Sequence, residues 1–139
     1  MNVIIINGPN LNLLKDRNID IYGDISFEDY YANLKDQFLS IDLDYYQSNI
    51  EGELINKIQA AVGTYNYIIL NAGGYSHTSV SIADCIEAIN VPVLEVHISN
   101  IYSREEFRHK SLLTQYCEGC IVGLGLNSYK LALEHIINS

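Results

Sequence analysis

The sequence predicts an α/β fold: a doubly wound, three-layer α/β/α sandwich on five parallel strands in the order 2-1-3-4-5. Short, continuous apolar runs such as Val3 to Asn7 and Tyr67 to Asn71 read as strands covered on both faces, because half-exposed strands alternate. Segments with helical apolar spacing separate these runs, so each crossover can cover one face of the sheet. Residues 1–139, with 48% hydrophobic and 18% charged side chains, are the length of one domain and can bury a core.

The elements follow in order. After the first strand, Gly8 to Ile25 is polar and too long for an ordinary turn, which marks a functional loop. Ser26-Phe-Glu-Asp29 resembles a capping box opening a helix to about Ser40. Leu43 to Gln47 reads as a strand near a sheet edge. Glu51 to Val62 places Leu54, Ile55, Ile58 and Val62 at helical spacing and stops at Gly63. Tyr67 to Asn71 is the next buried strand, and a helix from about Ser79 to Ile89 is ended by Asn90 and Pro92. Val93 to His97 is a strand again, and Ser103-Arg-Glu-Glu106 should cap a short helix. Ile121 to Leu124 completes the strands, and Ser128 to Ile137 the helices. The pattern is flavodoxin-like.

A net charge of −9 disfavours nucleic acid and anionic membranes as partners. The first apolar run is too brief for a signal peptide or a membrane span. Cys85, Cys117 and Cys120 form an odd set, so reduced thiols in a cytoplasm are expected. Cys117-Glu-Gly-Cys120 has C-x-x-C spacing, but it precedes an apolar strand rather than opening a helix. No second pair completes a zinc site, so neither a redox nor a metal role is expected of it.

In doubly wound sheets ligands sit beyond the carboxyl ends of the strands, at the switch point between the first and third. Polar residues concentrate at three such ends. Asn7-Gly-Pro-Asn10, Arg17 and Tyr22 follow the first strand; Asn71-Ala-Gly-Gly-Tyr-Ser-His77 follows the third. Glu95, His97, Ser99, Asn100, Arg104 and Arg108 surround the end of the fourth. Amides and hydroxyls suit a hydroxylated ligand, arginines a carboxylate or phosphate, and a histidine a proton transfer near neutral pH. Gly73-Gly74 and Gly123-Leu-Gly125 match no dinucleotide or Walker loop.

Taken singly, each residue also has a plain structural reading. Tyr22 is one of 11 tyrosines, His97 could be a hydrogen-bonded core histidine, and His77 could cap the following helix. The Asn7-Gly-Pro-Asn10 turn is needed structurally whatever Asn10 does. His109 and His135 read as surface residues.

Together the segments resemble the type II 3-dehydroquinate dehydratases. The matching stretches are Asn7-Gly-Pro-Asn-Leu-Asn-Leu-Leu14 with Arg17 and Tyr22-Gly23, Asn71-Ala-Gly-Gly74 with His77-Thr-Ser-Val80, and Glu95-Val-His-Ile-Ser-Asn100 with Arg104 to Arg108. Ile121-Val-Gly-Leu-Gly125 with Tyr129 adds a weaker match. The resemblance runs nearly end to end, with the segments in the family's order.

The resemblance implies a cofactor-free and metal-free hydro-lyase acting on 3-dehydroquinate in the shikimate pathway, by anti elimination through an enolate. It implies Tyr22 as the base, Arg17 as the neighbour favouring its phenolate, and Asn10 as holder of the water that stabilises the enolate. His97 is the implied acid, oriented by Glu95. Ile98 and Ser99 are implied to bind the substrate carboxylate, chiefly through backbone N–H groups. Asn71, His77 and Arg108 are implied to hold ring hydroxyls, with Arg104 in the same positive cluster. Residues from about Leu13 to Tyr22 are the implied lid. Members are commonly homododecamers, tetramers of trimers, in which Asp84 reaches a neighbouring active site.

Two residues depart from the family pattern. Ala83 stands where relatives often carry a basic residue, which bears on the subunit contact. Ser128 replaces a common glycine in a part expected to be remote from the chemistry. The competing reading is a non-catalytic flavodoxin-like module for a flavin or small anion, resting on fold analogy alone. An assembly or scaffold role has no exposed motif to support it.

Overall fold

A computed structural model describes residues 1–16 and 24–139. Among these, five strands form one parallel sheet: β1 (Asn2–Asn7), β2 (Asp42–Gln47), β3 (Tyr67–Asn71), β4 (Val93–His97) and β5 (Gly119–Val122), in the order β2-β1-β3-β4-β5. The helices are α1 (Phe27–Gln37), α2 (Glu51–Ala60), α3 (Val80–Ala88) and α4 (Asn127–Ile137). The predicted α/β class, strand order and edge position of β2 are all found.

Alternation along β1 shows how one sheet feeds two cores. Val3 and Ile5 pack with Phe27 and Leu34 of α1 and with Leu133 and Ile136 of α4. Ile4 and Ile6 point the other way, against Leu54 and Ile58 of α2 and Ile82 and Ile86 of α3. Successive side chains of a strand face opposite sides, so an unbroken apolar run is the signature of two covered faces. At about 1.5–3 kcal/mol per fully buried aliphatic side chain, these two layers dominate the stabilisation.

Caps set where helices begin. Ser26 Oγ accepts from the Asp29 N–H at 3.1 Å, and Ser79 Oγ accepts from the Ile82 N–H at 2.9 Å, each satisfying a donor that the helix cannot. α1 stops at Gln37, three residues short of the expected end. β5 begins and ends two residues earlier than predicted, because Gly123 adopts φ +89° and turns the chain out of the sheet. The helix expected from Ser103 is replaced by short 3₁₀ turns over Ile101–Ser103 and Glu106–Arg108. Asn100 is the cap there, its Oδ1 accepting from the Tyr102 N–H, while Ser103 Oγ donates back to the Asn100 carbonyl. Among the described residues, no helix is long and apolar enough to cross a membrane.

Candidate active site

The carboxyl ends of β1, β3 and β4 open into a small polar crevice lined by the loops that follow them. Two loops are wedged together to make its wall. The Gly8 N–H donates to the Asn71 carbonyl at 2.7 Å, and a Cβ on Gly8 would lie 2.5 Å from the Ala72 oxygen, so only glycine permits the approach. Asn10 follows in the left-handed region (φ +69°), a conformation asparagine tolerates better than most residues. Its N–H donates to Asn49 Oδ1, and its exposed side chain lines the crevice.

β4 supplies the chemical centre. Glu95 and His97, two residues apart, share one face of the strand, and both are buried (0% and 5% exposed). His97 Nε2 lies 2.5 Å from Glu95 Oε2. A carboxylate only accepts, so Nε2 carries the hydrogen and Nδ1 is the remaining nitrogen of a ring that lines the crevice. The second carboxylate oxygen, Oε1, accepts from Thr114 Oγ1 at 2.5 Å. Burial pushes the Glu95 carboxyl up, but hydrogen bonds from His97, Thr114 and Ser111, with the attraction of His97, outweigh it and hold the group below the usual range. Glu95 is therefore an anion at neutral pH, and its charge matches an imidazolium at His97.

His77 stacks against His97 with ring centroids 6.0 Å apart. Its Nδ1 lies 2.8 Å from the Lys110 carbonyl and must donate, which leaves Nε2 as an acceptor. Burial lowers its pKa; the Lys110 hydrogen bond opposes this, while the charges of His97 and Arg108 add to it. A neutral ring with an open acceptor suits a ligand hydroxyl. Asn71 is held by a buried relay: its Nδ2 donates to Tyr129 Oη (2.9 Å), whose hydroxyl donates to Asn7 Oδ1 (2.8 Å). Asn71 Oδ1 accepts from the Gly73 N–H, so one amide hydrogen remains for the crevice.

The cationic wall is formed by Arg104 and Arg108. Arg104 Nη1 donates to Ser99 Oγ at 3.3 Å, and Arg108 Nε donates to Glu105 Oε2 at 2.5 Å, an arrangement that fixes both guanidinium groups. Ile98 and Ser99 line the floor beside them. Nine of the twelve predicted site residues thus meet in or directly behind one crevice: Asn10, Asn71, His77, Glu95, His97, Ile98, Ser99, Arg104 and Arg108. Asp84 does not line it; it is exposed on α3. Arg17 and Tyr22 lie outside the described residues, as does most of the expected lid.

Three features escaped the sequence. Thr114 comes 19 residues after Glu95 at the start of a short 3₁₀ turn (Thr114–Tyr116), and only the need of a buried carboxylate for a second donor hints at it. Tyr129 has no visible partner in the sequence, because its role in the relay depends on three separate elements. Ser128, expected to be remote, is buried beneath the active strand, with its Oγ 3.5 Å from the His97 carbonyl.

Thr114 yields a direct test. Glu95 has a depressed folded-state pKa, so its contribution is full above its unfolded-state value, about 4.3, and is lost as pH falls through the folded value. Thr114→Ala should cost about 1–3 kcal/mol in urea denaturation. It should also move the acid-unfolding midpoint to higher pH, and Thr114→Ser should restore it. An unmoved midpoint would show that the hydroxyl does not hold the carboxylate.

Cys117 and Cys120 are free thiols. Burial, with the charge of Glu95 acting in the same direction, pushes both up to about 12. Protonated thiols are poor nucleophiles.

Comparisons with known proteins converge on one family. The family described as Dehydroquinase class II matches residues 1–137. A 3-dehydroquinate dehydratase of Campylobacter jejuni is 50% identical, covering 99% of this chain and 87% of its own. One from Prochlorococcus marinus is 48% identical, covering 99% and 97%. The crystal structure of a type II dehydroquinase from Butyrivibrio crossotus superposes with a TM-score of 0.92 at 42% identity, covering 100% of this chain and 98% of the other. A strand-end crevice holding a buried histidine–carboxylate pair, and identity sustained along the chain, carry the same conclusion: this protein belongs to the class II dehydroquinase family.

Proposed function

We propose that the chain converts 3-dehydroquinate to 3-dehydroshikimate and water by anti elimination through an enolate. Tyr22 removes the proton beside the ketone, with Arg17 favouring its phenolate, and His97 protonates the departing hydroxyl. The observation that supports this reading most directly is the buried Glu95–His97 pair, whose imidazole lines a crevice shared with Arg104 and Arg108. Hydroxide is a poor leaving group until protonated, and a carboxylate behind the imidazole keeps a proton donor in place. The enolate needs preorganised donors, for which Asn10 and its water are assigned. Ile98 and Ser99 take the carboxylate; Asn71, His77 and Arg108 take ring hydroxyls, with Arg104 adding to the positive field. The place of this reaction is the shikimate pathway, toward chorismate and the aromatic amino acids, in the cytoplasm.

The deciding assay follows ultraviolet absorbance of the conjugated enone acid after adding dehydroquinate. No rise with the assembled protein overturns the proposal. The mechanism passes through no Schiff base, so borohydride with substrate should leave turnover intact. Covalent labelling of a lysine with loss of activity would contradict it. We also propose a homododecamer in which Asp84, exposed on α3, completes a neighbouring site. A monomer in light scattering at working concentration would refute that.

A further inference from the structure

The pairing of β4 with β5 brings a third metal-binding group against the Glu95–His97 pair. The register sets Cys120 beside Glu95, and His97 lies two residues further along the same face. The carboxylate oxygen, imidazole nitrogen and sulfur lie within 4.8 Å of one another. Zinc binds such donors at roughly 2.0–2.3 Å, so a tetrahedral ion among them needs donor separations of about 3.3–3.8 Å. Side-chain rotations on the order of 1 Å close that difference. Glu95 and His97 are buried and Cys120 is exposed on the edge strand, so the ion enters past Cys120 to reach them.

We infer that Glu95, His97 and Cys120 form an inhibitory site for a thiophilic divalent cation such as zinc. The donor set suits it: nitrogen, oxygen and sulfur together are zinc chemistry, and water from the open edge supplies a fourth ligand. One carboxylate and one thiolate neutralise the ion, which limits the cost of burying it. On binding, the Cys120 thiol loses its proton to solvent, since a coordinating thiol is deprotonated outright. The Nε2 hydrogen that Glu95 accepts gives way to the metal, a neutral ring retaining its proton on Nδ1. No oxidation state changes.

The consequence for catalysis rests on His97 being the acid. With the ion on Nε2, the ring can no longer exist as an imidazolium backed by Glu95. Its remaining N–H is a weak donor, and protonation of the leaving hydroxyl fails. Binding of the ion does not depend on that reading.

The experiment separates the two. In chelator-free buffer, zinc should suppress dehydroquinate turnover, and EDTA should restore it. Cys120→Ser should keep the basal rate and weaken zinc inhibition at least about tenfold, no less than the loss of a mere outer-shell partner. Cys117→Ser should remain as sensitive as the parent. Cobalt titration, read as thiolate-to-metal absorption in the near ultraviolet, should give a band in the parent and Cys117→Ser but not in Cys120→Ser. Absence of the band in the parent, or equal zinc sensitivity of parent and Cys120→Ser, overturns the site whatever the protein's activity. A band with full turnover overturns the inhibition and counts against His97 as the acid.

Discussion

His97→Ala is expected to lower kcat by about 10²–10⁴-fold, the usual contribution of a positioned general acid. The loss should fall on kcat more than on KM, because His97 is assigned to the departing hydroxyl rather than to the carboxylate. The same substitution takes from Glu95, a carboxylate 0% exposed, its charge partner on Oε2, while the Thr114 hydroxyl stays on Oε1. Removing one partner of a buried pair costs about 3–5 kcal/mol, so a loss of rate alone could reflect unfolding. His97→Gln resolves this, since its amide can donate to Glu95 yet cannot act as a proton acid. Denaturation midpoints should recover much of the stability in His97→Gln while stopped assays show no return of turnover. A rate within tenfold of the parent in either folded variant would remove His97 from the mechanism.

The fold was legible wherever burial constrains sequence on both sides of the chain. β3 and β4 were readable to the residue because Tyr67–Asn71 and Val93–His97 have both faces covered. β5 was misplaced by two residues because an edge strand with partly exposed faces carries a weaker pattern, and Gly123 leaves the sheet through a positive φ that composition alone does not reveal. The segment after His97 looked helical from Ser103-Arg-Glu-Glu106, but Asn100 captures the cap one turn earlier, and the chain is then tied by tertiary bonds such as Leu112 N–H to the Ser76 carbonyl. Local propensity lost to long-range contact there. The site divides along the same line. Glu95 and His97 announce themselves by a spacing of two on a strand, which fixes a common face. Thr114, Ser128 and Tyr129 reach the same centre only through the fold, so no local pattern could show them.

The base half of the reaction predicts an equally large effect with a different signature. Tyr22→Phe should reduce kcat by about 10²–10⁴-fold, since phenylalanine keeps the ring and loses the group that takes the proton. Arg17→Ala should also reduce turnover at neutral pH, but for another reason. An unperturbed tyrosine, with a pKa near 10, is ionised in only about one molecule in a thousand at pH 7. A nearby cation typically lowers such a value by about 1–3 units, and loss of that cation returns it. The basic residue therefore still exists in Arg17→Ala, only scarcer in its active form. Raising the pH should refill the phenolate, so the rising limb of kcat/KM moves to higher pH and much of the lost rate returns there. Tyr22→Phe has nothing to ionise and should stay slow at every pH. If Arg17→Ala also stays slow at every pH, Arg17 acts on the substrate rather than on the phenol; if Tyr22→Phe recovers at high pH, the base must be sought elsewhere.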